Sequence, residues 1–291
     1  MSNILETMLD IVQDTLIDAV KLIPFLFIAY LLMEYLEHKT GDKTKEIVKK
    51  SGKLGPLFGG ILGIFPQCGF SATASNLYAG RIISMGTLIA VFLSTSDEML
   101  PILISKATPI EIILQILAIK LVIGVIAGFI VDAVIKVVRK KGKNEIEENA
   151  MEHICEEEHC DCEHGIFRSA VKHTLHILLF ITVITFIVNI LIAIIGEENI
   201  SNIVLNIPVV GILISALVGL IPNCAGSVIL TELYLSNLIS MGSMIAGLLV
   251  GSGIGILILF RVNKHLKENL TITGILYFIG VISGIIIDLI L

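Results

Sequence analysis

Two short motifs of similar composition stand 156 residues apart in this chain of 291 residues. Residues 65–71 read FPQCGFS and residues 221–227 read IPNCAGS, so each motif holds a proline, an amide, a thiol and a hydroxyl. Proline removes a backbone donor and splits a helix, which frees N–H and C=O groups beside these side chains. We therefore predict a site that binds a substrate or ion; the alternative is a pair of kinked packing helices with cysteine as a small apolar filler. The predicted binding residues are Pro66, Gln67, Cys68, Ser71, Pro222, Asn223, Cys224 and Ser227.

The second candidate is a polar run within an apolar stretch: Ser94, Thr95, Ser96, Asp97 and Glu98. Carboxylates inside a bilayer are costly and usually functional, so we predict that this run also binds the substrate or ion, or carries protons. The alternative is a helix N-cap at the membrane surface. Glu232 lies one to two turns beyond Cys224, and it is either a further group in the same cavity or a surface residue.

A third candidate lies in a polar segment near the middle of the chain. Residues 153–164 contain three cysteines, three histidines and five acidic residues, a composition typical of metal binding. The spacing does not match a zinc finger, so we predict a flexible chelating loop rather than a folded site. The alternative is an ordinary acidic loop. The predicted metal ligands are His153, Cys155, His159, Cys160, Cys162 and His164.

The composition of the chain indicates what must position these groups. Hydrophobic residues make up 55% of the chain and charged residues 16%, and residues 55–104 contain only three charges. Soluble domains carry a larger fraction of charged residues. Long stretches that are almost free of charge typically span a bilayer as helices, so we predict an all-α polytopic membrane protein. The net charge of −6 argues against nucleic acid as a partner. Lys120, within a long apolar stretch, either snorkels to the surface or pairs internally.

The sequence also contains an internal repeat. Residues 63–96 align without gaps to 219–252 with 14 identities, and residues 123–132 align to 279–288 with 7. Residue types that are rare in this chain match at one constant offset, so chance similarity is a poor explanation. We predict a first transmembrane repeat at 1–138, a cytoplasmic linker rich in His, Cys and Glu at 139–172, and a second repeat at 173–291. The acidic pair occurs only in the first repeat.

Loop charges indicate that the two repeats are inverted in the membrane. The loop at 37–54 carries six lysines, whereas its counterpart at 196–206 carries no basic residue. Since basic loops stay in the cytoplasm, equivalent loops should lie on opposite sides. One crossing and one re-entrant hairpin fit between residue 54 and about residue 107, whereas three full helices do not. Each repeat should therefore contain five helical pieces, some broken or re-entrant, and Asp132 and Asp288 should mark helix ends at opposite faces.

Together, the paired motifs, the polar run and the His/Cys linker resemble the ten-transmembrane heavy-metal exporters, whose members are labelled arsenic efflux permeases or manganese transporters. The resemblance covers nearly the whole chain. It implies a multi-pass exporter in the cytoplasmic membrane with ten helical pieces, and it leaves the substrate open. Thiols favour arsenite or zinc, whereas carboxylates with backbone carbonyls favour manganese.

These features lead us to expect a secondary exporter of a heavy metal or metalloid. Coupling to protons is the natural hypothesis, because the sequence has no Walker A motif. The alternative function is transport of a small organic anion with a metal-sensing linker. We expect no enzyme, because HExxH is absent and no serine or cysteine has an obvious histidine partner at membrane depth. The expected partners are the lipid bilayer and a metal or metalloid ion that is transported or sensed; no cofactor is required, and a homo-oligomer is left open.

Overall fold

The structure is a computed structural model that describes residues 54–65, 68–96, 99–141, 208–222 and 225–290, together with isolated helical positions between 12 and 31 and between 167 and 190. Every regular element in the continuous ranges is a helix. This is what a bilayer requires, because a helix satisfies its own backbone hydrogen bonds. The predicted all-α fold is confirmed.

The described ranges contain ten helical segments, five in each half of the chain. In the first half they are α1 (Gly55–Gly63), α2 (Cys68–Ala79), α3 (Met85–Ser94), α4 (Met99–Ser105) and α5 (Ile110–Lys141). In the second half they are α6 (Pro208–Gly219), α7 (Ala225–Leu235), α8 (Met241–Val250), α9 (Gly255–Val262) and α10 (Leu266–Ile290). The last three begin 156 residues after their counterparts, so the order of helices follows the sequence repeat.

Four stretches among the described residues are long and apolar enough to cross a membrane. They are Met85–Ser105, Ile110–Val138, Met241–Val262 and Leu266–Ile290. The first combines α3 with α4 and the third combines α8 with α9, so the described residues of each half contain one broken and one continuous span. The protein is therefore a multi-pass membrane protein.

Helix directions in each half follow from the contacts of its small residues. Gly59 of α1 packs against Thr87 and Val91, and Gly63 packs against Val91 and Ser94, so α1 runs parallel to α3. The intervening α2 must run back, and α1 and α2 form the first hairpin, with its tip between residues 63 and 68. Helix α6 likewise runs parallel to α8, because Ser215 and Gly219 contact Gly247 at the equivalent positions. Helices α6 and α7 therefore form the second hairpin.

The continuous spans run antiparallel to the broken spans. Gly124 of α5 packs against Ala90 and Ser94, near the end of α3, whereas Gly128 packs against the start of α3. A Cβ on Gly128 would lie 2.5 Å from the Gly86 carbonyl oxygen, and one on the equivalent Gly284 would lie 2.7 Å from that of Gly242. Such close backbone packing needs small residues. The described residues of each half thus form a helical hairpin and a broken span, followed by an antiparallel continuous span; that the hairpins are re-entrant stays a prediction.

The same cap holds the start of the broken span in each half. The Ser84 Oγ accepts a hydrogen bond from the Thr87 amide, and Asp132 accepts from the Ser84 hydroxyl and the Gly86 amide. Ser240, Gly242 and Asp288 repeat this arrangement. Asp288 lies near the end of α10, as predicted, but Asp132 lies well inside α5, which continues to Lys141. The prediction that Asp132 marks a helix end is wrong, because its role is to cap another helix.

The broken spans form the interior and the continuous spans form the periphery. The main hydrophobic cluster includes Leu88 and Phe92 of α3 with Met244 and Leu248 of α8, all nearly inaccessible. Helix α5 instead exposes an apolar stripe every four residues, made of Val122, Ile126, Ile130 and Val134. An exposed stripe with this spacing fits contact with lipid. The described residues at the breaks of the central spans, such as Ser96 and Ser252, are almost inaccessible.

Candidate functional site

Several predicted site residues lie outside the described residues, and their ligand roles stay predictions. Cys68 is described only as the first residue of α2. The predicted residues outside the described ranges are Pro66, Gln67, Asp97, Glu98, Asn223 and Cys224, and also the linker residues His153, Cys155, His159, Cys160, Cys162 and His164. The remaining predicted residues and their neighbours define the geometry below.

The first break, which begins at Thr95 after the end of α3, separates α3 from α4 and is joined to the tip of the first hairpin. The Thr95 hydroxyl bonds back to the Val91 carbonyl at 2.7 Å, and the Ser96 hydroxyl donates to the carbonyl oxygen of Ile64. Ser94 and Ser96 are both buried. The break and the hairpin tip, which the sequence identified separately, are therefore in direct contact.

The second break, residues 251–254, separates α8 from α9 and lies between the two hairpins. A Cβ on Gly251 would lie 3.6 Å from the Ser227 Oγ, and one on Gly255 would lie 3.0 Å from the Ser71 Oγ. Ser71 and Ser227 are equivalent residues of the two repeats. The structure therefore brings both predicted serines to the same break. Pro222 lies in the turn that follows α6.

Lys120 is the buried charge at the first break. Its side chain is 1% exposed, and its Nζ donates to the carbonyl oxygens of Thr95 and Leu248, the latter at 2.8 Å. Thr95 belongs to the first repeat and Leu248 to the second, so one ammonium links the two broken spans. Of the two alternatives that the sequence left open for Lys120, the structure shows internal pairing.

The sequence analysis did not identify two further hydroxyls near the breaks, those of Ser75 and Thr231. The Ser75 hydroxyl bonds the Ser71 carbonyl at 2.9 Å and the Gly255 carbonyl at 2.7 Å, which ties α2 to α9 of the other half. The equivalent Thr231 bonds the Ser227 carbonyl at 2.7 Å. The signal was available, because both positions carry a hydroxyl, but a count of identities does not detect it.

Two buried hydroxyls near the breaks have no hydrogen-bond partner among the described residues. They are the Oγ atoms of Ser94 and Ser252, and both residues are almost inaccessible. A buried hydroxyl without a partner is costly, and each such group needs an explanation such as a ligand or water. Ser94 and Ser252 lie at the first and second break, respectively.

Glu232 lies apart from this buried polar region. Its side chain is 52% exposed, and its Oε1 is 3.7 Å from the Nζ of Lys106. The preceding residue, Thr231, faces the interior, so Glu232 points the other way from the same turn of α7. Of the two alternatives that the sequence left open for Glu232, the structure shows the surface position.

A second cross-repeat contact lies at one end of the molecule. Arg81, in the loop after α2, forms two hydrogen bonds of 2.9 and 3.0 Å with the carboxylate of Glu268 near the start of α10. The Tyr78 hydroxyl donates to the same carboxylate. These bonds to Glu268 raise the pKa of Arg81, so the guanidinium keeps its charge. Sequence analysis did not identify this group, because Arg81 and Glu268, taken singly, are typical of charges near helix ends.

The chemistry of the described region is that of oxygen donors around one ammonium. Hydroxyls of both hairpins and carbonyls of both broken spans lie among buried residues near the two breaks. No group of three or more His, Cys, Asp or Glu side chains that could hold a metal occurs among the described residues. The arrangement can accept cations through carbonyl oxygens and can donate hydrogen bonds to oxyanions or neutral oxyacids.

The chain was also compared with known proteins. A family model described as "Putative, 10TM heavy-metal exporter" matches it in two overlapping stretches, residues 3–195 and 164–291. Together these cover nearly every residue, as the sequence resemblance predicted. No significant match was found among curated proteins or among solved structures.

Proposed function

Because this chain belongs to the 10TM heavy-metal exporter family, we propose that it exports a heavy metal or metalloid across the cytoplasmic membrane by alternating access at the paired broken-helix motifs, residues 65–71 and 221–227. The observation that carries the proposal is the convergence of Ser71 and Ser227, from the two hairpins, on the second break. Broken helices that meet near the membrane midplane are typical of substrate sites in secondary transporters. The protein is a transporter in this proposal, and it performs no chemistry on its substrate.

The alternating-access proposal includes inverted repeats, and two cross-repeat contacts support it. Within the first half, the loop at 80–84 and the loop at 106–109 lie at opposite ends of the broken span. Arg81 of the first loop contacts Glu268, just beyond the broken span of the second half, and Lys106 of the other loop contacts Glu232, near the mouth of the second hairpin. Each hairpin mouth thus meets the far end of the other half's crossing, as an antiparallel relation requires.

The proposed substrate is arsenite or a divalent cation such as manganese or zinc. Cys68 and Cys224 would supply soft ligands, which suit arsenite and zinc, and the carboxylates of Asp97 and Glu98 would suit manganese. Asp97 and Glu98 would bind the cation or exchange protons, because acids in an apolar stretch are typical of proton pathways. The linker at 139–172 would collect or sense metal at the cytoplasmic mouth.

The proposal is tested by uptake of arsenite, manganese and zinc into everted vesicles. For the variant C68A/C224A we expect uptake of the transported ion to fall by at least about tenfold, since even outer-shell changes at metal sites cost that much. The matched control is C155A/C160A/C162A, which removes only linker thiols and should retain transport. A variant that lacks residues 153–164 should keep transport with an altered apparent affinity.

The outcomes separate the alternatives. Unchanged metal uptake by C68A/C224A would contradict a thiol site at the paired motifs. If none of the three ions is taken up and a small organic anion is, the alternative function is correct and the linker only senses metal.

A further inference from the structure

Helices α3 and α8, which begin the two broken spans, end with carbonyl groups directed at one point. Helix α3 ends at Ser94 and helix α8 ends at Val250. The last four carbonyls of a helix lack partners within the helix, and the helix C-terminus carries a partial negative charge. The Thr95 carbonyl follows α3 directly, and the Leu248 carbonyl belongs to the last turn of α8. Two negative helix ends, one from each repeat, therefore lie beside the same position.

The Lys120 ammonium occupies that position. Burying an ammonium is costly unless hydrogen bonds compensate for its lost hydration, and Lys120 bonds both carbonyls while 1% exposed. Its side chain enters from α5, the neighbouring continuous span. In the second repeat the equivalent residue is Leu276, which is fully buried in the apolar core. The ammonium is therefore a feature of one side of the pseudosymmetric pair only.

We propose that these carbonyls form a cation site and that Lys120 fills it as a tethered cation. Half-helix C-termini and unwound carbonyls bind coupling ions in other secondary transporters, so the site has the chemistry for a small monovalent cation. With the ammonium in place the site accepts no free ion. The consequence for transport, independence from Na⁺ and K⁺, rests on the proposed function, whereas the cation site itself does not.

The experiment measures the thermal stability of the purified protein in detergent. Lys120→Ala removes the ammonium and leaves space at the carbonyls. We expect its Tm in choline chloride to lie below that of the wild type, and to rise by about 3 °C or more, saturably, in sodium, potassium or methylammonium chloride. Choline is too large for the vacated space. The wild type should have the same Tm in all four salts at equal ionic strength.

Two variants control for loss of packing. Leu276→Ala creates a cavity at the equivalent position of the other repeat, and its lowered Tm should not respond to the cation. Lys120→Met removes the charge but fills the space, so it should not be rescued either. If Lys120→Ala has the same Tm in all four salts, Lys120 is a structural brace and the proposal is overturned.

Poor folding of Lys120→Ala remains informative. Its monodispersity, measured by size-exclusion chromatography after extraction, should recover in methylammonium or sodium but not in choline. Aggregation in every salt would contradict the proposal. Because neither measurement needs a transported substrate, a failure of the export hypothesis would appear only in the vesicle assay and would leave this result readable.

Discussion

At the scale of single residues, Asp132 and Asp288 stabilise the starts of α3 and α8 in the same way. Each accepts one bond from a serine hydroxyl and one from a glycine amide, at 2.6 to 2.9 Å. A carboxylate at a helix N-terminus also interacts favourably with the helix dipole. We expect Asp132→Ala and Asp288→Ala each to lower the free energy of unfolding by about 1–2 kcal/mol, measured by thermal or denaturant unfolding in detergent.

The control for this pair is Glu111→Ala, which removes an exposed carboxylate from the first turn of α5. Its effect should stay within about 0.5 kcal/mol. The two aspartate variants should resemble each other, because their hydrogen bonds are equivalent. Full stability of either variant would mean that the cap contributes nothing in that half.

Individual residues also mark the limit of what the sequence predicted. The sequence singled out Lys120 and Glu232 as charges within apolar stretches, but it did not decide which way either side chain faces. That direction depends on partners distant in the chain: Leu248 lies 128 residues from Lys120, and Lys106 lies far from Glu232. Neither partner is signalled by local spacing, so the structure was needed to bury one charge and expose the other.

At the scale of helices, the contact of Arg81 with Glu268 ties the first hairpin loop to the start of α10. The carboxylate of Glu268 accepts bonds from Arg81, Tyr78 and Asn263, and the guanidinium stacks over the Tyr78 ring. A double-mutant cycle of Arg81→Ala and Glu268→Ala should give a coupling energy of about 1 kcal/mol, measured from unfolding in detergent, because two parallel bonds fix the geometry.

The matched control for this cycle is the other cross-repeat pair, Lys106 and Glu232. Both side chains are exposed, and the Lys106 Nζ lies 3.7 Å from the Glu232 Oε1, which is a loose contact. The double-mutant cycle of Lys106→Ala and Glu232→Ala should therefore give a coupling energy near zero. Equal coupling in both pairs would contradict a specific tie at the Arg81 end. Stronger coupling at the Arg81 end would mean that the two halves are held together more strongly at that end than at the Lys106 end.

The positions of the two hairpin tips were predictable from the sequence, whereas the contacts between the hairpins were not. Proline and glycine between residues 63 and 69 end α1 before α2 begins, and the equivalent motif separates α6 from α7, as their backbone chemistry requires. The antiparallel course of the first hairpin followed from loop charge and length. That the two hairpins meet at the second break could not be deduced, because it depends on how the two halves pack.

At the scale of the whole molecule, the repeat predicted more than any single motif. An offset of 156 residues predicts equivalent helices, and the structure repeats the caps, the glycine contacts and the left-handed loop residues Arg81 and Asn237 at that offset. The exceptions are informative. Lys120 opposite Leu276, and Glu268 opposite Ile112, show that the two halves have diverged at the centre and at one end.

The inversion of the repeats has a direct test on intact cells. Lys106 and Lys264 follow equivalent broken spans, and both are exposed in the structure. In a background with the five native cysteines replaced by serine, Lys106→Cys should react with a membrane-impermeant maleimide from outside. Lys264→Cys should react only after permeabilisation, because basic loops stay in the cytoplasm. Asn237→Cys, at the mouth of the second hairpin, should behave like Lys106→Cys. Labelling of positions 106 and 264 from the same side would refute inversion, since inverted repeats place equivalent loops on opposite faces.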